Sequence, residues 1–265
     1  MRDLLSVDKS RVKNLLRMDL HRMIHGKAFW VMSCIAVFIP VMMLTQMGEA
    51  RELVSFIGST GAESSSGFGA GTSISILTVL TGMLLSIYIG KEYTSGYIKN
   101  IITAHANKCD YILAKTIVAT LWNVVFMLIY VVTLLVLGMV MGLPSGITSV
   151  LGLVMFLIEK LLLSIPMSIL MIAINLVFRR NFGWSIMFVC IAGTGFIVMT
   201  LQMGLQMLGL GSISSILNFT ISGAATFATL NPNLLYMLLI AGVSVLWTFL
   251  CTLAADALMN SRDVL

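Results

Sequence analysis

The sequence is poor in charged residues and in proline: 10% of its 265 residues are charged and four are proline. Soluble domains carry roughly 25% charged residues, whereas 58% of this chain is hydrophobic. A water-soluble fold could not bury this much apolar surface, so the composition excludes a soluble globular protein. The apolar runs are continuous and do not alternate with period two, which favours membrane-spanning helices over barrel strands. We therefore expect an all-α, polytopic membrane protein.

The sequence also lacks the motifs of common catalytic and metal sites. It contains no GxxxxGK[ST] phosphate-binding loop, no placed nucleophile–base pair and no C-x-x-C spacing among its four cysteines. His21 and His25 have i, i+4 spacing, but no carboxylate or cysteine cluster supports a metal site there. We expect no catalytic residue, metal or cofactor in this chain, which would not itself be an enzyme.

Hydrophobic runs separated by polar turns predict six membrane-spanning helices. They would cover residues 28–47, 72–90, 111–141, 148–178, 184–203 and 234–255. Residues 48–71 would form an outer loop with a flexible Gly- and Ser-rich stretch. Residues 204–233 are apolar but broken by Gly, Ser and Pro232, which indicates a re-entrant segment within a membrane domain of residues 28–255. The alternative is a further crossing there, which would move the tail, 256–265, to the other side.

The basic residues are distributed unevenly along this topology. Seven of the 16 Lys and Arg residues lie in 1–27, four in 91–115, two at Arg179 and Arg180, and one in the tail. The positive-inside rule places these segments, and with them both termini, in the cytoplasm. The same bias accounts for the net charge of +5, which therefore gives no reason to expect nucleic-acid binding.

Residues 1–27 are a basic lead with helical periodicity. From Ser10 onward apolar residues recur on one side at 100° per residue, although Asp19 interrupts the stripe. Such a helix beside a span usually lies in the headgroup layer. We interpret it as an elbow helix that also touches a cytoplasmic partner; a plain topology anchor is an equal alternative. The residues assigned to the elbow are Arg11, Leu15, Arg17 and Arg22.

Residues 91–115 form a polar island between two hydrophobic segments. A helix leaving the membrane would be broken at Gly96. A two-turn amphipathic helix would follow, with an apolar stripe at i, i+3, i+4 and i+7. Such a short helix is stable only if this face is buried, and burying three isoleucines contributes about 5 kcal/mol. The partner is a cytoplasmic protein or, alternatively, the membrane surface or the chain's own helices. The stripe consists of Ile98, Ile101, Ile102 and His105.

The island also carries a loose E-x-x-x-G-x-x-K pattern, followed by a polar turn and a Lys in the next helix. The matching residues are Glu92, Gly96 and Lys99, and the run DYILAK at 110–115. With the six-span layout, the elbow and the broken segment, the chain resembles permeases of type-two ATP-binding-cassette (ABC) transporters. That family includes bacitracin, lantibiotic and cytolytic-peptide exporters. The resemblance implies a coupling helix in a groove of a separate ATPase subunit. It assigns ATPase coupling to Glu92, Gly96, Ile98, Lys99, Ile101, Ile102, His105 and Lys115.

The resemblance also implies partners and a function. Two ATPase subunits would bind ATP and Mg²⁺, and a second permease copy would complete a homodimer in the inner membrane of a bacterium. The expected function is export of hydrophobic or amphipathic cargo, such as antimicrobial or cytolytic peptides. The alternative is an ATP-independent secondary transporter or channel, although the scarcity of buried ionisable groups argues against ion relays.

Two sets of residues are candidates for the cargo path. Glu159 and Lys160 lie inside the fourth predicted span, and adjacent helical residues point about 100° apart. Their alternatives are a structural role at a dimer interface or a lysine that reaches the membrane surface. The second set forms parallel Met and Gln rows, for which lipid contact and packing are the alternative. These rows contain Met199, Met203, Gln202 and Gln206. Asn123 and Asn175 are expected to bond across helices.

Overall fold

The computed structural model describes residues 9–45, 72–97, 108–142, 150–178, 181–209, 215–225, 227–228 and 234–261. This part of the chain is helical and contains no strand, which confirms the all-α expectation. Its α-helices, in chain order, are α1 (Lys9–Ile24), α2 (Lys27–Thr45), α3 (Thr72–Thr94), α4 (Lys108–Val140), α5 (Val150–Val177), α6 (Phe182–Gly193), α7 (Phe196–Met207), α8 (Ile221–Ala224) and α9 (Leu234–Ser261). A 3₁₀ helix, Ser215–Phe219, precedes α8.

Three helices of the described part are long and apolar enough to cross a membrane. They are Asp110–Val140 within α4, all of α5, and Leu234–Met259 within α9. These helices confirm the predicted third, fourth and last spans. α1 and α2 meet the same criterion only as a pair, and they are bent by 68° at the break between them. The described residues thus supply three clear spans, or four with the bent pair, where the sequence predicts six.

Helix α5 lies at the centre of the bundle. It packs most extensively on α9 and also contacts α3 and α4, while α1 and α2 lie against α4. Large aromatic side chains fill the interior, among them Phe126, Tyr130 and Phe156. The opposite face of α4 exposes apolar residues at four-residue spacing, Leu128, Val132 and Val136, as expected for a surface in contact with lipid.

Helices α1 and α2 join at a tight corner around Gly26. The Tyr88 hydroxyl of α3 donates to the Met23 carbonyl at 3.2 Å and lies against Gly26. A Cβ at Gly26 would overlap that hydroxyl, so the close approach requires glycine. The corner is therefore tied to α3, and the bend lays α1 along α4.

The predicted crossing at 184–203 does not form a single helix. The structure divides it into α6 and α7, which are separated by Thr194 and Gly195. Gly195 has φ of +66°, a left-handed conformation that interrupts the helix and favours glycine. At 12 residues each, α6 and α7 fall short of the roughly 20 that a crossing needs.

The described part of the predicted re-entrant segment, 204–233, is short and irregular. It consists of the end of α7, the 3₁₀ helix and α8, which packs against α9 and α5. Thr220 caps α8, since its hydroxyl accepts a hydrogen bond from the Gly223 amide at 3.1 Å. The predicted outer loop, 48–71, lies outside the described residues, as does the stretch 98–107 of the island.

Candidate functional site

Five polar side chains from three helices meet at the end of the bundle where α3 ends and α4 begins. α1 contributes Asp19 and Arg22, α3 contributes Glu92, and α4 contributes Tyr111 and Lys115. We call these five residues the Glu92 cluster. Spacings of three residues on α1 and four on α4 bring each pair to one helical face.

Glu92 is the centre of the cluster. Lys115 Nζ lies 2.7 Å from Glu92 Oε1 and 3.0 Å from Asp19 Oδ1. Arg22 Nη1 lies 3.2 Å from the same Glu92 oxygen, and the Tyr111 hydroxyl donates to Glu92 Oε2 at 2.8 Å. Both oxygens of Glu92 are therefore bonded, and Lys115 bridges two carboxylates that would otherwise repel each other.

The cluster is buried but balanced in charge. Glu92 and Tyr111 are 1% exposed and Asp19 and Lys115 are 4% exposed, while Arg22 is half-buried at the rim. Two carboxylates face two cations, so their formal charges cancel. Burial raises the pKa of Asp19 above its ordinary 3.8, and the Lys115 ammonium draws it part of the way back. Removing one partner from such a buried pair typically costs about 3–5 kcal/mol, because the other charge is left uncompensated.

Tyr97 extends the cluster towards the segment 98–107. The Arg22 guanidinium lies 4.6 Å from the centre of the Tyr97 ring, and the Tyr97 hydroxyl donates to Met18 Sδ. The turn that ends α3 contains Gly96, whose φ of +69° is a conformation that favours glycine. This turn places Tyr97 on α1, so the chain is fastened there immediately before the segment begins.

The segment 98–107 is thus bracketed by the same set of contacts on both sides. Glu92 and Tyr97 precede it, Tyr111 and Lys115 follow it, and both sides are bonded to α1. A displacement of the segment's two ends would therefore be passed to α1, α3 and α4 together.

The structure describes three of the eight predicted coupling residues. Glu92 and Lys115, which are predicted to take part in ATPase coupling, are buried and bonded to α1. Gly96 lies in the turn after α3. The others lie outside the described residues: Ile98, Lys99, Ile101, Ile102 and His105.

The elbow assignments are also sharpened. Arg22 belongs to the cluster, Arg17 is exposed and Leu15 is half-buried, while the side chain of Arg11 lies outside the described part. The periodicity suggests that Asp19 interrupts the buried face of α1. In the structure Asp19 is compatible with burial, because Lys115 of α4 lies opposite it. The two residues are 96 positions apart, so one helix's pattern could not reveal the pair. The signal available in the sequence was an acidic residue, Asp19, on one apolar helix face and a lysine, Lys115, on another, which together are compatible with an ion pair.

Glu159 and Lys160 lie on α5, towards the opposite end of the bundle. Glu159 is 3% exposed, and its Oε2 has no hydrogen-bond partner among the described residues. Lys160 Nζ donates to the Ala225 carbonyl at 2.7 Å and lies 5.4 Å from the centre of the Phe156 ring. As the helical spacing predicts, the two side chains form no ion pair in the described structure.

The Met and Gln rows are only partly described. Gln202 Nε2 donates to Asn218 Oδ1 at 3.2 Å, and Met203 is exposed. The side chains of Met199 and Gln206 lie outside the described part. This bond joins α7 to the 3₁₀ helix, so the structure gives Gln202 a structural contact.

A polar contact between helices is confirmed for Asn175. Its Oδ1 accepts a hydrogen bond from the Ser185 hydroxyl of α6, and the Ser185 hydroxyl also lies 3.4 Å from that of Ser86 on α3. Asn123 is buried in α4. The Asn175 contact ties three helices together close to the turn between α5 and α6.

Long apolar helices around an α5 core define the chain as a multi-pass α-helical membrane protein. The family model described as ABC-2 family transporter protein matches residues 15–196, which is more than half of the chain. The protein therefore belongs to the ABC-2 transporter family. The match contains every member of the Glu92 cluster, as well as Glu159 and Lys160. No curated protein and no solved structure matches the chain.

Proposed function

We propose that the protein is the permease subunit of an ATP-driven exporter that works with separate ATPase subunits. The observation that carries this proposal is the Glu92 cluster, which joins both flanks of the segment 98–107 to α1. A motor protein that moved this segment would move the ends of α3 and α4 and the elbow as one body. The apolar stripe of the segment is the surface on which the motor would act.

The proposed mechanism uses this linkage. Two permease copies bind two ATPase subunits, and ATP with Mg²⁺ closes the ATPase pair. Closure displaces the segment 98–107, and the buried ion pairs carry the displacement to α1, α3 and α4. A balanced, buried cluster suits this task, because breaking any one of its contacts leaves an uncompensated charge and the group therefore moves together.

The proposed cargo is a hydrophobic or amphipathic molecule, in particular a peptide such as an antimicrobial or cytolytic peptide. The protein lies in the inner membrane of a bacterium, with both termini and the segment 98–107 in the cytoplasm, as the distribution of basic residues favours. The proposed cargo path includes Glu159 and Lys160, which would lie towards the outer side in this orientation.

The test is co-purification and coupling with the ATPase encoded beside this chain. We expect the two to co-purify and the complex to hydrolyse ATP faster with cargo than without it. Ile101→Asp should abolish this stimulation, because a carboxylate would enter the apolar contact. Thr103→Asp is the matched control, since Thr103 lies outside the stripe. Failure to co-purify, or no stimulation in the unchanged complex, would favour an ATP-independent transporter or channel. Equal stimulation in both variants would contradict the role of the apolar stripe as the contact with the motor.

A further inference from the structure

A small cavity lies beside Lys160 between α3, α5, α6 and α8. Its volume is about 50 Å³, several times the roughly 10–15 Å³ that one water molecule requires. The lining combines polar and apolar groups: Lys160, Thr78, Ser164 and Ser222 with Leu163, Met167, Ile221, Gly193 and Ala225. We call this space the Lys160 cavity.

The Lys160 ammonium has donors that its described contacts do not use. An ammonium carries three N–H groups, and one of them points to the Ala225 carbonyl at 2.7 Å. That carbonyl belongs to the C-cap residue that follows α8, at a helix end where carbonyls lack intrahelical partners. The contact holds the lysine at the cavity wall and leaves two N–H groups for another acceptor.

Among the residues that the structure describes, no carboxylate lines the Lys160 cavity. Glu159 is the adjacent residue on α5, but its side chain points about 100° away and is not part of the lining. The described lining therefore presents one cation and hydroxyl groups in a setting of low polarity, where a cation attracts an anion strongly.

We infer that the Lys160 cavity binds the oxyanion head group of an amphiphile, with Lys160 as the charged ligand and Ser222 as a neighbouring hydroxyl donor. A carboxylate or phosphate oxygen accepts charge-assisted hydrogen bonds from an ammonium, and these are about twice as strong as neutral ones. The inference rests on the proposed function, because it names the chemical class of cargo: amphipathic molecules with a negatively charged end, such as the terminal carboxylate of a peptide.

Binding can be measured on the full-length chain alone, in nanodiscs of phosphatidylcholine. A dodecanoate with a diazirine near its head group is cross-linked to the protein, and unlabelled dodecyl compounds compete with it. We expect dodecanoate and dodecyl phosphate to compete at least about tenfold better than dodecanol. Lys160→Met should remove this preference and Lys160→Arg should keep it. The matched control, Lys13→Met, changes an exposed lysine on α1 and should leave the preference intact.

Two results would overturn the inference: equal competition by dodecanol in the unchanged protein, or an anion preference that survives Lys160→Met. If Lys160→Met does not fold, the positions of the cross-links in the unchanged protein test the inference instead. Cross-links on the cavity-lining residues of α5 and α8 support the site, and cross-links elsewhere refute it.

A further arm identifies the source of the head group. Part of the phosphatidylcholine is replaced by phosphatidylglycerol, and displacement of the probe then indicates a membrane lipid as the occupant. Retention of the probe indicates a free amphiphile, and either result supports an oxyanion site. Since no ATPase is present, a chain that binds the probe but does not couple to an ATPase would refute the proposed function only.

Discussion

The two ends of the helix bundle hold buried charge in opposite ways. Around Glu92, two carboxylates and two cations from different helices satisfy one another at 2.7–3.2 Å. Around Lys160, one cation meets a backbone carbonyl and a cavity, and the neighbouring Glu159 keeps an oxygen without a described partner. The first arrangement links three helices, whereas the second links α5 to α8 and leaves bonding capacity unused.

The difference separates a mechanical role from a binding role. A fully paired cluster in a low-dielectric interior resists rearrangement, because any separation exposes an uncompensated charge. A lysine with unused donors beside a cavity can instead accept a ligand without first breaking an ion pair. The predictions below test this contrast through stability, measured as reversible unfolding of the purified chain in mixed micelles.

The largest effect is expected for Lys115→Met. The substitution leaves the buried Asp19 and Glu92 carboxylates with Arg22 as their remaining cation in the cluster, so unfolding should become easier by about 3–5 kcal/mol. Lys91→Met is the matched control, because Lys91 is exposed at the end of α3. It should change stability by no more than about 0.5 kcal/mol. Equal stability of the two variants would contradict the proposed tight coupling of the cluster.

A double-mutant cycle between Asp19 and Lys115 should show that they act as one unit. Asp19→Asn alone removes one of the two carboxylates that Lys115 bridges, and Lys115→Met alone removes the bridge. We expect the double variant to be about 1–3 kcal/mol more stable than the sum of the single effects predicts, because contacting residues couple on this scale. Strict additivity would mean that the two side chains do not interact.

The corner between α1 and α2 should be sensitive to size at Gly26. Gly26→Ala places a methyl group against the Tyr88 hydroxyl and should cost about 1–3 kcal/mol through overpacking. Adding Tyr88→Phe removes the clashing oxygen and leaves the ring Cζ 3.1 Å from the new methyl carbon. The double variant should therefore be no less stable than Gly26→Ala. A further loss on adding Tyr88→Phe would indicate that the hydrogen bond to Met23 outweighs the clash.

The smallest effect is expected for Lys160→Met. The substitution removes one hydrogen bond to a carbonyl, and none of the described residues that line the cavity is a carboxylate, so the loss should be about 1 kcal/mol or less. The comparison with Lys115→Met is direct, because both substitutions remove a lysine from a largely buried position. If Lys160→Met lowered the free energy of unfolding as much as Lys115→Met, Lys160 would be part of a structural ion pair. The two ends of the bundle would then not differ in how they hold buried charge.

The sequence predicts the existence of the long helices well, because each long apolar run is itself the signal for a span. The third, fourth and last predicted spans correspond to α4, α5 and α9 within a few residues at most ends. The run predicted as a crossing at 184–203 is divided into two helices, because hydropathy does not register the turn at Gly195. A run of apolar residues looks the same whether it is one helix or two.

The candidate site was predictable in its residue types but not in its connections. Glu92 and Lys115 stand out from the sequence because they carry charge at the ends of apolar helices. Their roles as buried partners of α1 depend on contacts between residues 70 to 96 positions apart. Asp19 was misread for the same reason, since its partner lies on another helix.

By itself the sequence determined the class of protein and the places where charge is rare enough to matter. Scarce charge and continuous apolar runs require spans in a membrane, because water could not solvate that surface. Only the tertiary structure decided which charges are satisfied. The bend at Gly26 lays α1 along α4 and brings Asp19 to Lys115, whereas Lys160 meets a carbonyl and a cavity. Electrostatic energy depends on the distance between charges and on their burial, and both are set by the tertiary structure.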